Sequence, residues 1–296
     1  MPIIGIDLGG TRIKGVAIDQ AGNVLHQSIR PTNDGQDGVW KQAVAETVRD
    51  LMVKCGIPNT SIGISAPGLP NEAYNAIAYM PGRMQGLENF NWSNHLGQPT
   101  FVLNDAVSAL VAEARFGAAR SKKHVAMITL GTGVGGAILI DGKPYGGAFN
   151  KAGHIGHMAI DCNGSPDVTN MPGSLEECIG NCTIEKRSNG RFKSTHELLA
   201  AHHQGDAGAT EIWLRSVRHL AIGLASITNV LSPERIVLGG GITEAGEALF
   251  APLKEYMQLY EWRAGDNQVE IVKAQFGDIA GAIGAACFAS DSSQNI

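Results

Sequence analysis

The sequence predicts an α/β protein of two lobes, and three observations carry that expectation. Short apolar runs of strand length alternate with segments whose apolar residues recur at helical spacing. Glycine clusters follow three of the apolar runs, at 9–10, 131–136 and 239–241, where a strand would give way to a turn. The order strand, glycine turn, strand, hairpin turn occurs twice, from residue 3 and again from residue 125, a weak internal duplication that suits one sheet per lobe.

Residues 3–7 are a short apolar run leading into Asp7-Leu8-Gly9-Gly10-Thr11; 13–18 follow, then a turn at Gly22-Asn23, then 24–29. This predicts three antiparallel strands joined by tight turns. Trp40, Val44, Val48, Leu51 and Met52 recur at helical spacing, which predicts an amphipathic helix over 39–54. Buried strands are expected at 61–65 and 100–103, and Asn104-Asp105 opens a helix over 106–116. After a polar seam at 119–124 the pattern restarts with a strand at 125–130, a glycine-rich turn, a strand at 137–140 and a turn at Asp141-Gly142. Residues 155–194 are polar and irregular, with a short helix near Leu175–Ile179. A long apolar-periodic helix over 209–230 stops before Pro233, and a strand at 235–238 runs into Gly239-Gly240-Gly241. Helices near 247–260 and 279–289 flank a strand at 269–273. The expected lobes are a small one, 1–118 plus about 279–296, and a large one, 119–278. Open α/β sheets bind ligands at the carboxyl ends of their strands, where all three glycine clusters fall, so a cleft between two lobes is the natural arrangement.

Composition narrows the functional classes. The chain has 296 residues, 44% hydrophobic and 17% charged, enough to bury a full core and unlike a disordered chain. A net charge of −5 without a long run of one sign argues against nucleic acid or an anionic membrane as partner. It does not argue against ATP, because backbone N–H groups and magnesium can hold phosphates without a basic surface. No basic segment followed by a long apolar run marks a signal peptide, and no run reaches the roughly 18 apolar residues of a membrane span. The five cysteines are odd in number and irregularly spaced, so a reduced, cytoplasmic protein without a disulfide framework is expected.

Four places carry candidate chemistry. In Asp7-Leu8-Gly9-Gly10-Thr11 the glycines let backbone N–H groups point at an anion, Thr11 adds a hydroxyl donor, and Asp7 can hold magnesium through water. A plain hairpin turn is the competing reading. In 130–136 four glycines and a threonine in seven positions exceed what a turn requires. The segment is no Walker loop, and a strand rather than a helix follows it, unlike a dinucleotide fingerprint. Leu238-Gly239-Gly240-Gly241-Ile242 leads toward a helix and can let a nucleotide lie against backbone, or is a plain strand-to-helix turn. Asn104-Asp105 suits a helix cap, yet Asp105 is also placed to be a general base in phosphoryl transfer, which asks of protein little beyond a base, in-line positioning and charge neutralisation.

The ordered set Asp-Leu-Gly-Gly-Thr, Asn-Asp, Leu-Gly-Thr-Gly-Val-Gly-Gly, Gly-His-Ile-Gly-His, Gly-Ser-Leu-Glu and Leu-Gly-Gly-Gly-Ile, with Gly-Asp-Ile-Ala-Gly-Ala-Ile-Gly-Ala-Ala at 277–286, resembles the ROK family of sugar kinases, repressors and uncharacterised open reading frames. The resemblance spans nearly the whole chain. It implies the actin-like ATPase (ribonuclease H-like) fold, two α/β lobes with a central cleft, and a glucokinase-like kinase that uses ATP and Mg2+, works on a sugar and forms a homodimer. Gly9, Gly10 and Thr11 then look like the first phosphate loop, Gly131, Thr132, Gly133 and Gly135 the second, and Gly240 and Gly241 the adenosine-side turn. Asp105 looks like the base that takes a proton from the hexose 6-hydroxyl. Asn104, His157 and Glu176 look like sugar ligands, and Ser65-Ala66-Pro67-Gly68 the loop lining the sugar side.

Two departures stand out. Many relatives carry a zinc knuckle, C-x-C-G-x-x-G-C, after the Gly-His pair; here 165–174 contain no cysteine and Ser174 stands where the last one would be. Zinc is therefore expected to be absent, with the loop held by packing and hydrogen bonds and stiffened by Pro166 and Pro172. A rearranged site from His157, Cys162, Cys178 and Cys182 stays open. The second departure is His154, where sugar kinases of the family usually have Glu; a carboxylate only accepts from hydroxyls, whereas a neutral imidazole offers one donor and one acceptor. Standard glucose preference is thus not expected, unless His154 merely packs or caps. Glucose, mannose, fructose and N-acetylated hexosamines all stay open as substrates. A repressor would need a helix-turn-helix domain ahead of the first strand, and none is expected. A non-catalytic sugar- or nucleotide-binding sensor of the same fold is the alternative to the kinase.

Overall fold

The computed structural model describes residues 2–35, 38–82 and 84–293. The Cα packing divides the chain into two units, Met1–Ser121 with Pro144–Ala152 and Ala274–Ile296, and Lys122–Lys143 with Gly153–Lys273. The expected second lobe ran unbroken over 119–278; instead 144–152 group with the first unit. There Asn150 Nδ2 donates to the carbonyls of Pro70 and Asn71, both at 3.2 Å, and the Tyr74 hydroxyl donates to Asn150 Oδ1 at 3.1 Å.

In the first unit β1 (Ile3–Leu8), β2 (Arg12–Ile18) and β3 (Val24–Pro31) form the expected antiparallel meander. Helix α1 (Val39–Cys55) lays Trp40, Val44, Val48 and Leu51 on Ile4, Ile6, Ile62 and Ile64 of the sheet, the period-2 face of the strands meeting the 3.6-period stripe of the helix. Strand β4 (Ile62–Ala66) pairs parallel to β1. Next come a ribbon of β5 (Leu69–Pro70) and β6 (Ile77–Tyr79), the short helix α2 (Trp92–Leu96), β7 (Thr100–Asn104) parallel to β4, and α3 (Asp105–Phe116). The sheet order is β3-β2-β1-β4-β7.

The second unit repeats this plan. Strands β8 (Val125–Leu130) and β9 (Val134–Ile140) are an antiparallel pair, followed by β10 (Lys143–Pro144). Helices α4 (Leu175–Ile179), α5 (Ile184–Arg187), α6 (Thr195–His203) and α7 (Ala207–Leu231) precede β11 (Arg235–Gly239), α8 (Glu247–Tyr260) and β12 (Glu270–Lys273). The order β10-β9-β8-β11-β12 matches the first sheet place for place, with the third, fourth and fifth positions parallel in both. The faint sequence duplication is therefore a duplication of topology. Helix α7 is the main core element here. Asp206 caps its start by accepting from Ala209 N at 2.8 Å, and Trp213, Val217, Leu220 and Leu224 are buried against Ile128, Ile236 and Leu238.

Helix α9 (Ala280–Ser293) completes the first unit. Its small residues are buried on nearly every side, so it shows no polar stripe. It lies backbone to backbone on the sheet. A Cβ on Gly5 of β1 would stand 1.9 Å from Ala282 O, one on Gly63 of β4 1.9 Å from Ala285 O, and one on Gly284 1.6 Å from Ser108 O of α3. The fully buried Glu113 of α3 fixes the chain leading into α9, accepting from Gln275 N at 2.7 Å and Phe276 N at 3.0 Å.

Candidate functional site

In the first unit the parallel ladders bring Asp7, Ser65 and Asn104 to the carboxyl ends of neighbouring strands, with Asp105 next in chain. Ser65 Oγ donates to Asp7 Oδ1 at 2.8 Å. Lys14, nearly buried, places Nζ 3.7 Å from Asp7 Oδ2 and 3.0 Å from Asp278 Oδ1. Burial raises the Asp7 carboxyl above the ordinary range; the Ser65 bond and Lys14 charge hold it down in part, and Asp278 adds to the rise. A carboxylate whose charge is opposed by its surroundings gains from a nearby cation. Magnesium keeps most of its waters and takes one or two carboxylates with substrate phosphates, so a single oxygen ligand such as Asp7 fits it. Among the described residues no group of three or more His, Cys, Asp or Glu side chains is gathered for a metal.

The turn 9–11 is clamped from the end of β3. Thr32, fully buried, donates its hydroxyl to Gly9 O at 2.6 Å and its N–H to Thr11 O at 3.0 Å, while Gly9 N donates to Arg12 O at 3.1 Å. Among the described residues the Gly10 N–H and the Thr11 hydroxyl make no bond. Two anion-seeking donors are thus left on a fixed turn.

Asn104 is the cap of α3. Its Oδ1 accepts from Ala106 N at 3.0 Å and Val107 N at 3.4 Å, and its Nδ2 donates to Gly68 O at 3.1 Å, tying the 65–68 loop to the helix start. Asp105 also accepts from Ala106 N, at 2.8 Å. Its position is open to solvent, yet the surrounding protein excludes enough water to raise the carboxyl to about 6, with the Asp7 charge adding and the Ala106 N–H subtracting. Titration near the working pH is what a proton acceptor needs.

The second unit holds the other glycine clusters. The loop proper is Gly131, Thr132 and Gly133; Gly135 lies inside β9, because that strand starts at Val134 and not at 137 as the sequence suggested. Residues 176–182 strap the loop. Glu176 Oε2 accepts from Val134 N at 2.9 Å and stands 2.3 Å from where a Cβ on Gly133 would be. Asn181 N donates to Gly131 O at 3.0 Å and Cys182 N to Thr132 O at 2.8 Å. Gly240, at φ 87°, passes so close to β8 that a Cβ would stand 2.3 Å from Leu130 O, so its glycine is explained by packing; Gly241 opens a 3-10 turn, Gly241–Ala245, ahead of α8. A cavity of about 720 Å3 lies between these glycines and α6, lined by Gly131, Thr132, Leu199, Ala200, His203 and Gly241 among others. Its size suits a nucleoside.

The Gly-His pair sits on a 3-10 turn, Ile155–His157, pressed onto β9 at Gly156, where a Cβ would stand 1.8 Å from Val134 O. His154 makes no capping bond to that turn; its ring stacks on His157 with centroids 6.5 Å apart and planes 6° from parallel. His157 Nδ1 lies 2.8 Å from Asp167 Oδ2. The loop after it closes through a bridge between Pro166 and Pro172, with Asp167 inside. Cys162, Cys178 and Cys182 are free thiols, and burial pushes Cys178 up to about 11.

Lys14, Thr32, Asp167 and the cavity wall from α6 were not foreseen. Thr32 acts through Thr11 and Gly9, 21 and 23 residues away in chain, and Asp167 through His157, 10 away, which no local pattern announces; helix α6 buries only Thr195 and Leu198 and so shows little periodicity.

The sequence pattern of the ROK family matches residues 3–292. A glucokinase of Thermotoga maritima is 29% identical over 97% of this chain and 96% of its own length. The ROK hexokinase of Thermus thermophilus has a similar structure, with 27% identity, a TM-score of 0.85 and full coverage of both chains. A ROK family glucokinase of Streptomyces griseus, solved with glucose and AMPPNP, is 25% identical with a TM-score of 0.82 over 98% of this chain and 100% of that one.

Proposed function

This chain belongs to the ROK family and has its α/β actin-like ATPase fold, and from that premise we propose that it transfers the γ-phosphoryl group of ATP to the 6-hydroxyl of a hexose or hexose derivative. The observation that carries the proposal is Asp105, an accessible carboxyl at the start of α3 just past β7, raised to about 6 and within the field of Asp7. The hydroxyl oxygen attacks the γ-phosphorus as its proton passes to Asp105; the bond from the γ-phosphorus to the bridging oxygen breaks, and ADP leaves with that oxygen. The Gly10 N–H and Thr11 hydroxyl hold phosphate oxygens, as does the backbone of Gly131, Thr132 and Gly133. Gly240, Gly241 and the 720 Å3 cavity take the adenosine. Asp7 would hold Mg2+, and the ion would supply charge neutralisation on the phosphates. On the sugar side Asn104 has one amide hydrogen beyond its bond to Gly68 O, and Glu176 keeps Oε1 for a hydroxyl after Oε2 takes the Val134 N–H. His154, His157 and the Gly68 loop complete that side.

The glucokinase and hexokinase relatives support ATP and a sugar as substrates. His154 in place of a carboxylate favours a hexose other than glucose. ADP release with magnesium-ATP, measured over glucose, mannose, fructose and N-acetylated hexosamines, tests the proposal. Turnover with one of them, lowered about a hundredfold or more in Asp105→Asn, supports it. Tight sugar binding without any turnover would replace it by a sensor of the same fold.

A further inference from the structure

Asp167 is a buried carboxylate to which the proposed reaction gives no part. Its side chain has no exposed surface. Oδ1 accepts from Thr169 N at 2.7 Å, Thr169 Oγ1 at 2.7 Å and Met171 N at 3.1 Å, and Oδ2 faces His157 Nδ1 at 2.8 Å. Three donors on one oxygen leave no room for an acid proton there. One proton lies between Oδ2 and Nδ1, and the three donors on Oδ1 favour the charged carboxylate, so that proton rests on the nitrogen. The carboxylate is thus ionised and purely an acceptor. Although burial pushes its pKa up, the bonds from Thr169 and His157 pull it well below the usual carboxylate range.

An acceptor-only partner dictates the state of the ring. Nδ1 must carry the hydrogen, and a neutral imidazole then has a bare lone pair on Nε2. Among the described residues Nε2 has no partner, and the side chain is 31% exposed. The loop that delivers Asp167 is closed on itself: Asp167 N donates to Met171 O and Asn170 N to Asp167 O, both at 2.9 Å. The turn that delivers His157 is pinned to β9 at Gly156. Both partners are therefore held by backbone, and the ring between them has one orientation.

We propose that Asp167 is a positioning residue that locks His157 in the Nδ1–H tautomer and so makes Nε2 a hydrogen-bond acceptor for a hydroxyl of the sugar. The role of His157 at the sugar rests on the reading given under Proposed function; the tautomer does not. Acceptance at Nε2 selects substrates that keep a hydroxyl hydrogen at that place, and deoxy or O-methyl analogues there are rejected.

The decisive experiment reads the ring nitrogens of His157 by 15N NMR on the full chain, the signal being assigned by its loss in His157→Gln. The wild type should show a protonated Nδ1 and a bare Nε2, and Asp167→Asn, whose amide can donate to Nδ1, should shift the ring toward the Nε2–H form. In the same variant KM for the hexose turned over fastest in the panel should rise about tenfold to a hundredfold, with KM for ATP within about twofold. Thr169→Val removes one support of Asp167 and leaves its bond to His157, so it controls for loop damage and should leave both readings unchanged. A wild-type ring protonated on Nε2, or an unchanged ring in a folded Asp167→Asn, overturns the tautomer. A shifted tautomer with an unchanged hexose KM overturns the positioning role at the sugar. If no sugar is turned over the kinase reading falls, and the ring measurement, which needs no substrate, still decides the lock.

Discussion

Replacing Asp105 by Asn should alter rate and stability in opposite directions. Asn keeps the shape and can still accept from Ala106 N, but it cannot take a proton. A positioned general base contributes about a hundredfold to ten-thousandfold, so kcat should fall by that factor with KM for sugar and ATP little changed. The pH profile gives a second, independent figure. With a carboxyl at about 6, the ionised fraction is roughly nine-tenths at pH 7 and roughly one-tenth at pH 5, so wild-type kcat/KM should drop about tenfold between them. The sign for stability follows from the same shift. The folded pKa lies above the unfolded value near 3.9, so between the two the folded state binds more protons, and this group's contribution declines as pH rises through that window. Asp105→Asn lacks the penalty. It should melt higher than wild type above pH 6, and the gap should close below pH 4. Steady-state kinetics from pH 4.5 to 8 and thermal melts above pH 6 and below pH 4 measure all three. A variant that keeps more than a tenth of wild-type kcat, or a wild-type profile flat to pH 5, would refute the assignment of Asp105 as base.

Gly63→Ala should destabilise the first unit by about 3 kcal/mol or more, since its Cβ would meet the Ala285 carbonyl of α9 at 1.9 Å; the urea midpoint reads this. Thr32→Val removes the hydroxyl that clamps Gly9, and should cost about 1 kcal/mol in urea unfolding and raise KM for ATP severalfold. Ala200→Trp, at an exposed position on α6, should fill part of the 720 Å3 cavity and raise KM for ATP by about tenfold or more while leaving the melting temperature and the sugar KM alone. Asp167→Asn should reset the His157 tautomer and raise the hexose KM, as set out above.

What could be read from the sequence divides along physical lines. Strands β1, β2 and β3 and helix α1 follow from local alternation and a helical stripe, and their bounds in the structure differ from the expected ones by a residue or two. Helix α6 and the ribbon of β5 and β6 have no such pattern, the first because it buries so few residues, the second because its strands are two and three residues long. At the site, Asn104 and Asp105 were visible because Asn-Asp after a buried strand is a cap signature. The cap is real and does not displace the catalytic proposal, since capping falls to Asn104 and leaves Asp105 outward. Lys14 was invisible for the opposite reason. It sits in the middle of β2, and its meaning comes from Asp7 on the neighbouring strand and Asp278 far along the chain. Asp167 escaped notice in the same way, in a stretch where the missing cysteines were the conspicuous feature.

The most direct test of the central claim is the stoichiometry of one reaction mixture holding the protein, magnesium-ATP and the hexose panel, with ADP and sugar monophosphate both quantified by mass spectrometry. A sugar kinase predicts ADP and one hexose monophosphate in equal amounts, carried on the 6-oxygen and formed about a hundredfold or more slower with Asp105→Asn. ADP without sugar phosphate, or sugar phosphate formed equally well by Asp105→Asn, would contradict it.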